Sequence, residues 1–179
     1  MGVAVHSHWF AVGSRVAWAE AGVGAIATQA MTNAQFGPKG LGLLTRGIPP
    51  KRVLKLLLLP DKSAENRQVA IVGTEGQVAA HTGKNCISFA SHEKGDFFSV
   101  QANMMANEKV VPAMAKAFQE TKGELAVRLL AALTAAEKVG GDVRGCQSAA
   151  MKVVAPIKSG DLWQDIVVDI RVDDNHSPI

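Results

Sequence analysis

The chain opens Met1-Gly-Val-Ala-Val-His-Ser-His-Trp-Phe-Ala-Val-Gly13. Val3 and Val5 alternate with Ala4 and His6, the period-two pattern of a β-strand that buries one face. Domains ordinarily begin with a few loosely held polar residues. Here an apolar strand starts directly after Met1, so the stretch reads as the middle of a sheet. The rest of the chain must supply what lies beside it.

Further strand-like stretches follow in adjacent pairs. Residues 3–7 and 15–19 flank a glycine-containing connection, and residues 24–29 form a buried run bounded by glycines. Residues 67–72 and 77–80 are separated by Gly73-Thr-Glu-Gly76, a hairpin signal. Residues 97–101 make another strand, and 149–155 with 165–172 a last antiparallel pair. Helices are paired too. Residues 37–46 precede 50–59, with Pro49-Pro50 where a missing N–H costs little. Residues 108–120 precede 123–139, in which Leu125, Leu129, Leu130 and Leu133 share a face before Gly140-Gly141 closes the helix. This order is not the strict alternation of a parallel doubly wound sheet. It predicts an α+β fold of mostly antiparallel sheets with helices packed outside, as one domain over residues 1–179.

A chain of 179 residues, 47% hydrophobic and 20% charged, buries enough surface to fold without disulfides or metals. The absence of Tyr and an aromatic content of 5% argue against a base-stacking surface. The net charge of +3 comes from basic residues spread along the chain, so no nucleic-acid partner is expected. No signal peptide is read at the start, and the longest apolar run, broken by Lys55, is too short to span a bilayer. A cytoplasmic location without membrane contact is expected, with Cys86 and Cys146 as reduced thiols.

The segment Gly140-Gly-Asp-Val-Arg-Gly-Cys-Gln-Ser-Ala-Ala150 concentrates polar groups in a glycine-rich turn between helix and strand. Asp142 and Arg144 there can orient one another and hold a polar ligand group, or simply satisfy the turn. His81 stands beside Thr82, but neighbours on a regular strand point to opposite faces. Gln101 and Asn103 end a strand with amides suited either to an oxyanion or to capping. His6 and His8 share a face without a nearby third ligand, which is not a convincing zinc site. Residues 171–177 offer oxygen ligands for Ca²⁺ or form a solvated tail. Phosphate-binding glycine motifs and a Gly-x-Ser-x-Gly elbow are absent.

Several segments, taken in order, carry a resemblance: Gly2-Val-Ala-Val, Phe10-Ala-Val-Gly, residues 18–29, Phe36-Gly-Pro-Lys-Gly-Leu, Arg67-Gln, Ala80-His-Thr-Gly, Gln101-Ala-Asn, residues 140–150 and Arg171-Val-Asp-Asp. Over essentially its whole length the chain resembles a bacterial family of unknown function whose fold is similar to that of the N-terminal-nucleophile (Ntn) hydrolases. The resemblance implies a four-layer αββα sandwich of two mostly antiparallel sheets. It implies hydrolysis of amides or lactones, with N-acyl amides and N-acyl homoserine lactones as plausible substrates. In that superfamily the nucleophile is an N-terminal Thr, Ser or Cys whose own α-amine, with a pKa of roughly 8, is the base.

Family members usually begin one strand earlier and continue further, so this domain is expected to be shortened at both ends. Gly2 carries no nucleophile, and the Ntn mechanism maps onto no residue here. The expected machinery is therefore internal. Asp142 is the base or orienter, Ser7 or Ser148 the nucleophile, and Asn103 and Gln147 the oxyanion donors, with Thr28, Gln29, His81 and Arg144 binding substrate. No cofactor is required, although a divalent ion such as Ca²⁺ is compatible. The alternative is a non-catalytic ligand-binding or assembly protein on the same scaffold. The open edge of residues 3–7 predicts pairing in a homo-oligomer.

Overall fold

In the computed structural model, which describes residues 1–179, the opening alternation becomes strand β1 (Gly2–Ser7). Val3 and Val5 are buried, and Ala4 on the other face packs against a separate cluster. The nearby stretch 15–19 is not its partner. Gly13–Val16 forms a one-turn helix, α1, which places Val12 and Val16 in the same core, and only then does β2 (Ala17–Glu20) begin. A helical turn brings positions four apart to one side, which two apolar residues flanking Gly13-Ser-Arg exploit.

The chain continues through β3 (Gly24–Ala30), helices α2 (Phe36–Thr45) and α3 (Pro50–Leu58), and the hairpin β4 (Arg67–Gly73) and β5 (Val78–Thr82). A second hairpin, β6 (Ser91–Gly95) and β7 (Phe98–Ala102), leads to α4 (Val110–Glu120) and α5 (Leu125–Lys138). Strand β8 (Ser148–Val154), a turn of helix α6 (Leu162–Asp165) and β9 (Ile166–Val172) end it.

Every strand pairing is antiparallel, and the strands form three sheets: β1-β8-β9, β2-β3-β4-β5 and β6-β7. The fold is thus α+β as expected, with one sheet more than the sequence suggested. Strand β6, Ser-His-Glu-Lys-Gly, carries no apolar alternation in sequence, because its residues are polar and mostly exposed. Helices α2 and α3 pack on β3, β4 and β5 through Ile26, Val53, Leu57 and Ile71. Helices α4 and α5 cover β7 through Val100, Val110, Phe118 and Leu133. Between β1 and β3 lies a third cluster that includes Val5, Val16, Ala27 and Ala150. None of the helices is long and apolar enough to cross a membrane.

The side chain of Gln68, fully buried on β4, joins the β6-β7 hairpin to the larger sheet. Its Nε2, with two hydrogens to share, lies within hydrogen-bond distance of three acceptors: the Ala102 carbonyl (2.9 Å), the Ser91 carbonyl (3.1 Å) and Thr82 Oγ1 (3.0 Å). Its Oε1 accepts from Asn103 Nδ2 at 3.1 Å.

Candidate functional site

Strand β1 is the edge of its sheet, and its register fixes which backbone groups are spare. Met1 and Val154 exchange both backbone hydrogen bonds. With Val3 opposite Lys152 and Val5 opposite Ala150, the odd residues face β8. The N–H and C=O groups of Gly2, Ala4 and His6 therefore point to the open side.

A cavity of about 950 Å³ runs along that open side. Residues 1–7 form one wall; Phe98–Asn103 and the inner faces of α4 and α5 form others. The lining is mostly apolar. Polar side chains among the lining include Gln29, Asn103, Glu137, Asp142 and Arg144.

The Asp142–Arg144 pair is the best-defined feature there. Arg144 donates from Nε to Asp142 Oδ1 (2.9 Å) and from Nη2 to Oδ2 (2.6 Å), and its backbone N–H also bonds Oδ1. The His8 amide points at Oδ2 from 3.5 Å. Burial pushes the Asp142 carboxyl upward, but the Arg144 side chain and backbone, with the His8 amide, outweigh it and hold the pKa below the ordinary range. Asp142 is thus an ionised anchor and a weak base. Arg144 is held with Nη1 making no hydrogen bond inside the chain, ready for a carbonyl or carboxylate oxygen.

The cavity brings together Ser7, Gln29, Asn103, Asp142 and Arg144 of the residues singled out from sequence. Gln29 Oε1 is buried without a partner. Ser7 lines the cavity, but its hydroxyl makes no hydrogen bond to a base. The other four sit elsewhere. Ser148 Oγ, fully buried, accepts from the Val12 amide (3.0 Å) and donates to the Trp9 carbonyl. Thr28 Oγ1 donates to the Arg15 carbonyl at 2.6 Å. His81 Nε2 lies 2.9 Å from the Ala64 carbonyl, and Gln147 donates to Asp174 at 3.0 Å. Of the carboxylates in the tail considered for Ca²⁺, Asp173 is clamped by Arg171 and Asp174 by Gln147.

A second group, of which His6 and Glu137 line the cavity, was not assembled from sequence. His6 Nδ1 lies 3.0 Å from Glu137 Oε1, and the Cys146 thiol donates to Glu137 Oε2 at 3.0 Å. His6 and Ser7 point to opposite faces of β1, so His6 does not serve Ser7 as base. Burial first, then the hydrogen bond to Glu137 and the charges of Glu137 and Asp142, push the Cys146 thiol up to about 11. The pattern His6-Ser7-His8 and the cysteine in the glycine-rich turn were the only sequence signals for this cluster.

A family model described as a family of unknown function (DUF1028) matches residues 1–179. The chain is similar in structure to protein SPO2555 from Silicibacter pomeroyi, whose crystal structure is described with the same family model. The two share 28% identity and a TM-score of 0.86, over 97% of this chain and 73% of that one. Among curated proteins none matches the sequence.

Proposed function

We propose that this chain, which belongs to the DUF1028 family of unknown function, binds and hydrolyses an extended, largely apolar substrate bearing an amide or lactone carbonyl. The observation that carries the reading is the cavity along the open edge of β1. An N-acyl amide lays its acyl chain against the apolar wall and meets the spare backbone groups of Gly2, Ala4 and His6 with its amide. The free Nη1 of Arg144 and the carboxamide of Gln29 are donors for the carbonyl oxygen. Ser7 is the attacking hydroxyl in this reading, because the oxygens of Ser148 and Thr28 are committed to backbone partners.

One observation favours a second reading, a ligand-binding protein without catalysis: the Ser7 hydroxyl has no hydrogen-bonded base, as an activated nucleophile requires. Calorimetric binding and product release, measured with N-acyl amides and acyl lactones of graded chain length, separate the two. Turnover that falls at least about a hundredfold in Ser7→Ala, with binding retained, supports hydrolysis. Binding without turnover in the wild type assigns the second reading. Neither binding nor turnover removes both.

A further inference from the structure

We propose that His6, Glu137 and Cys146 form a site for a thiophilic divalent cation, with Zn²⁺ as the ion whose chemistry fits. The site is separate from the Asp142–Arg144 pair and stands whether or not the cavity hydrolyses anything. Its three ligands come from three parts of the fold: the edge strand β1, the last turn of α5 and the loop leading into β8.

One ligand atom from each residue lies within 4.8 Å of the others. Two contacts, His6 Nδ1 to Glu137 Oε1 and Cys146 Sγ to Glu137 Oε2, are 3.0 Å. Bonds of about 2.0–2.3 Å in a tetrahedral zinc site put ligand atoms about 3.3–3.8 Å apart. Opening those two contacts by about 0.5 Å, and drawing the remaining pairs in from within 4.8 Å, makes room for the ion. The moving part is close at hand, since Cys146 follows Gly145 at φ +95° in a loop.

The donor set selects the metal. Thiolate, imidazole and carboxylate together suit Zn²⁺, whereas Ca²⁺ and Mg²⁺ prefer oxygen alone. Three protein ligands leave the fourth position for water or a ligand, and His6 and Glu137 both line the cavity.

The His6 ring is held in place by its burial. Its side chain is only 5% exposed, and Nε2 is buried with no hydrogen-bond partner. Nδ1 is therefore the ring nitrogen turned toward Glu137 and Cys146, and the buried ring has little freedom to turn it away. In the metal-bound state the balance is simple. Cys146 loses its thiol proton to solvent and binds as thiolate. The imidazole proton that faces Glu137 leaves Nδ1, and Nε2 takes up a proton, so His6 stays neutral and binds through Nδ1.

The test is titration of the full chain, stripped of metal, with Co²⁺ as a coloured substitute for Zn²⁺. One equivalent should develop thiolate-to-cobalt charge-transfer absorption. That band should disappear in Cys146→Ser, persist in Cys86→Ser, and require at least about tenfold more Co²⁺ in Glu137→Gln and His6→Gln. Circular dichroism checks that each variant is folded. A second measurement needs no variant: saturating Zn²⁺ should slow alkylation of Cys146 at least about tenfold, read by peptide mass mapping, and leave Cys86 unchanged. Absence of a thiolate band, a band that follows Cys86, or alkylation of Cys146 indifferent to Zn²⁺ overturns the site and leaves a hydrogen-bonded cluster only.

Discussion

His6 on the edge strand and Glu137 in the last turn of α5 meet at 3.0 Å, fastening helix to sheet beside the cavity. The same carboxylate takes the Cys146 thiol proton on its other oxygen. Gly141 makes this possible: a Cβ there would stand 2.3 Å from Glu137 Oε1. Both partners of Glu137 are donors, so its removal leaves a thiol and an imidazole without their acceptor.

The thiol reports this directly. A pKa raised from 9.0 to about 11 leaves about a hundredfold less thiolate at pH 8 than an ordinary cysteine has. Cys146 should therefore alkylate about a hundredfold more slowly than a free thiol in metal-free protein. Glu137→Gln should speed it severalfold, because burial still opposes ionisation after the carboxylate charge is gone. Peptide-resolved alkylation rates give the answer, and a wild-type Cys146 as reactive as glutathione contradicts the geometry.

The Asp142–Arg144 pair predicts a pH dependence of stability. The folded pKa of Asp142 lies below its unfolded value near 4, so the group stabilises the fold above that value. The contribution is lost as pH falls through the folded pKa. Asp142→Asn should cost about 1–3 kcal/mol at pH 7, and its gap from the wild type should narrow steadily below pH ~4. Arg144→Ala should behave differently. With the guanidinium gone, only the backbone amides of residue 144 and His8 oppose burial, the Asp142 pKa moves upward from its wild-type position, and this variant should lose stability at neutral pH. Thermal melts between pH 3 and 8 distinguish the two patterns.

Gln68 links the fold to the site. Replacing it with Met keeps the volume but leaves the Ala102 and Ser91 carbonyls without their donor and frees the Asn103 amide. Urea denaturation should show a loss of about 2–3 kcal/mol. Asn103 lines the cavity, so any ligand affinity should fall as well. A variant as stable as the wild type would show that the β6-β7 hairpin does not depend on this side chain.

The parts legible in the sequence were those set by neighbours in the chain. The four long helices follow from apolar spacing, Pro50 and the glycines at residues 140 and 141, and their ends fall within about two residues of the pattern. Asp142 and Arg144 are two residues apart in a tight turn, so their pairing was readable. Partnerships between distant segments were not. Nothing in Gly2-Val-Ala-Val says that β1 pairs with β8, because every Ala/Val-rich strand here is an acceptable neighbour. His6 lacked a third metal ligand in sequence because Glu137 and Cys146 arrive only through the docking of α5 and the loop before β8. Ser148 attracted notice as a hydroxyl in a polar motif, and only the structure shows that Val12 and Trp9 occupy it.

The register of β1 yields the sharpest test of how the cavity is used. Ala4 directs its N–H to the open side, whereas Val5 directs its own to Ala150 of β8. Proline removes a backbone donor and is tolerated on an edge strand only where that donor is spare. Ala4→Pro should therefore keep the melting temperature close to that of the wild type, while Val5→Pro should cost roughly 1–3 kcal/mol through the unpaired Ala150 carbonyl. If ligands lie against the strand through their amides, Ala4→Pro should weaken an N-acyl amide or N-acyl homoserine lactone severalfold and leave a simple alkyl lactone, which has no amide, unaffected. The same variant bears on self-association. A homo-oligomer formed through this edge should dissociate in Ala4→Pro, as sedimentation velocity would show, and an unchanged oligomer would place the interface elsewhere.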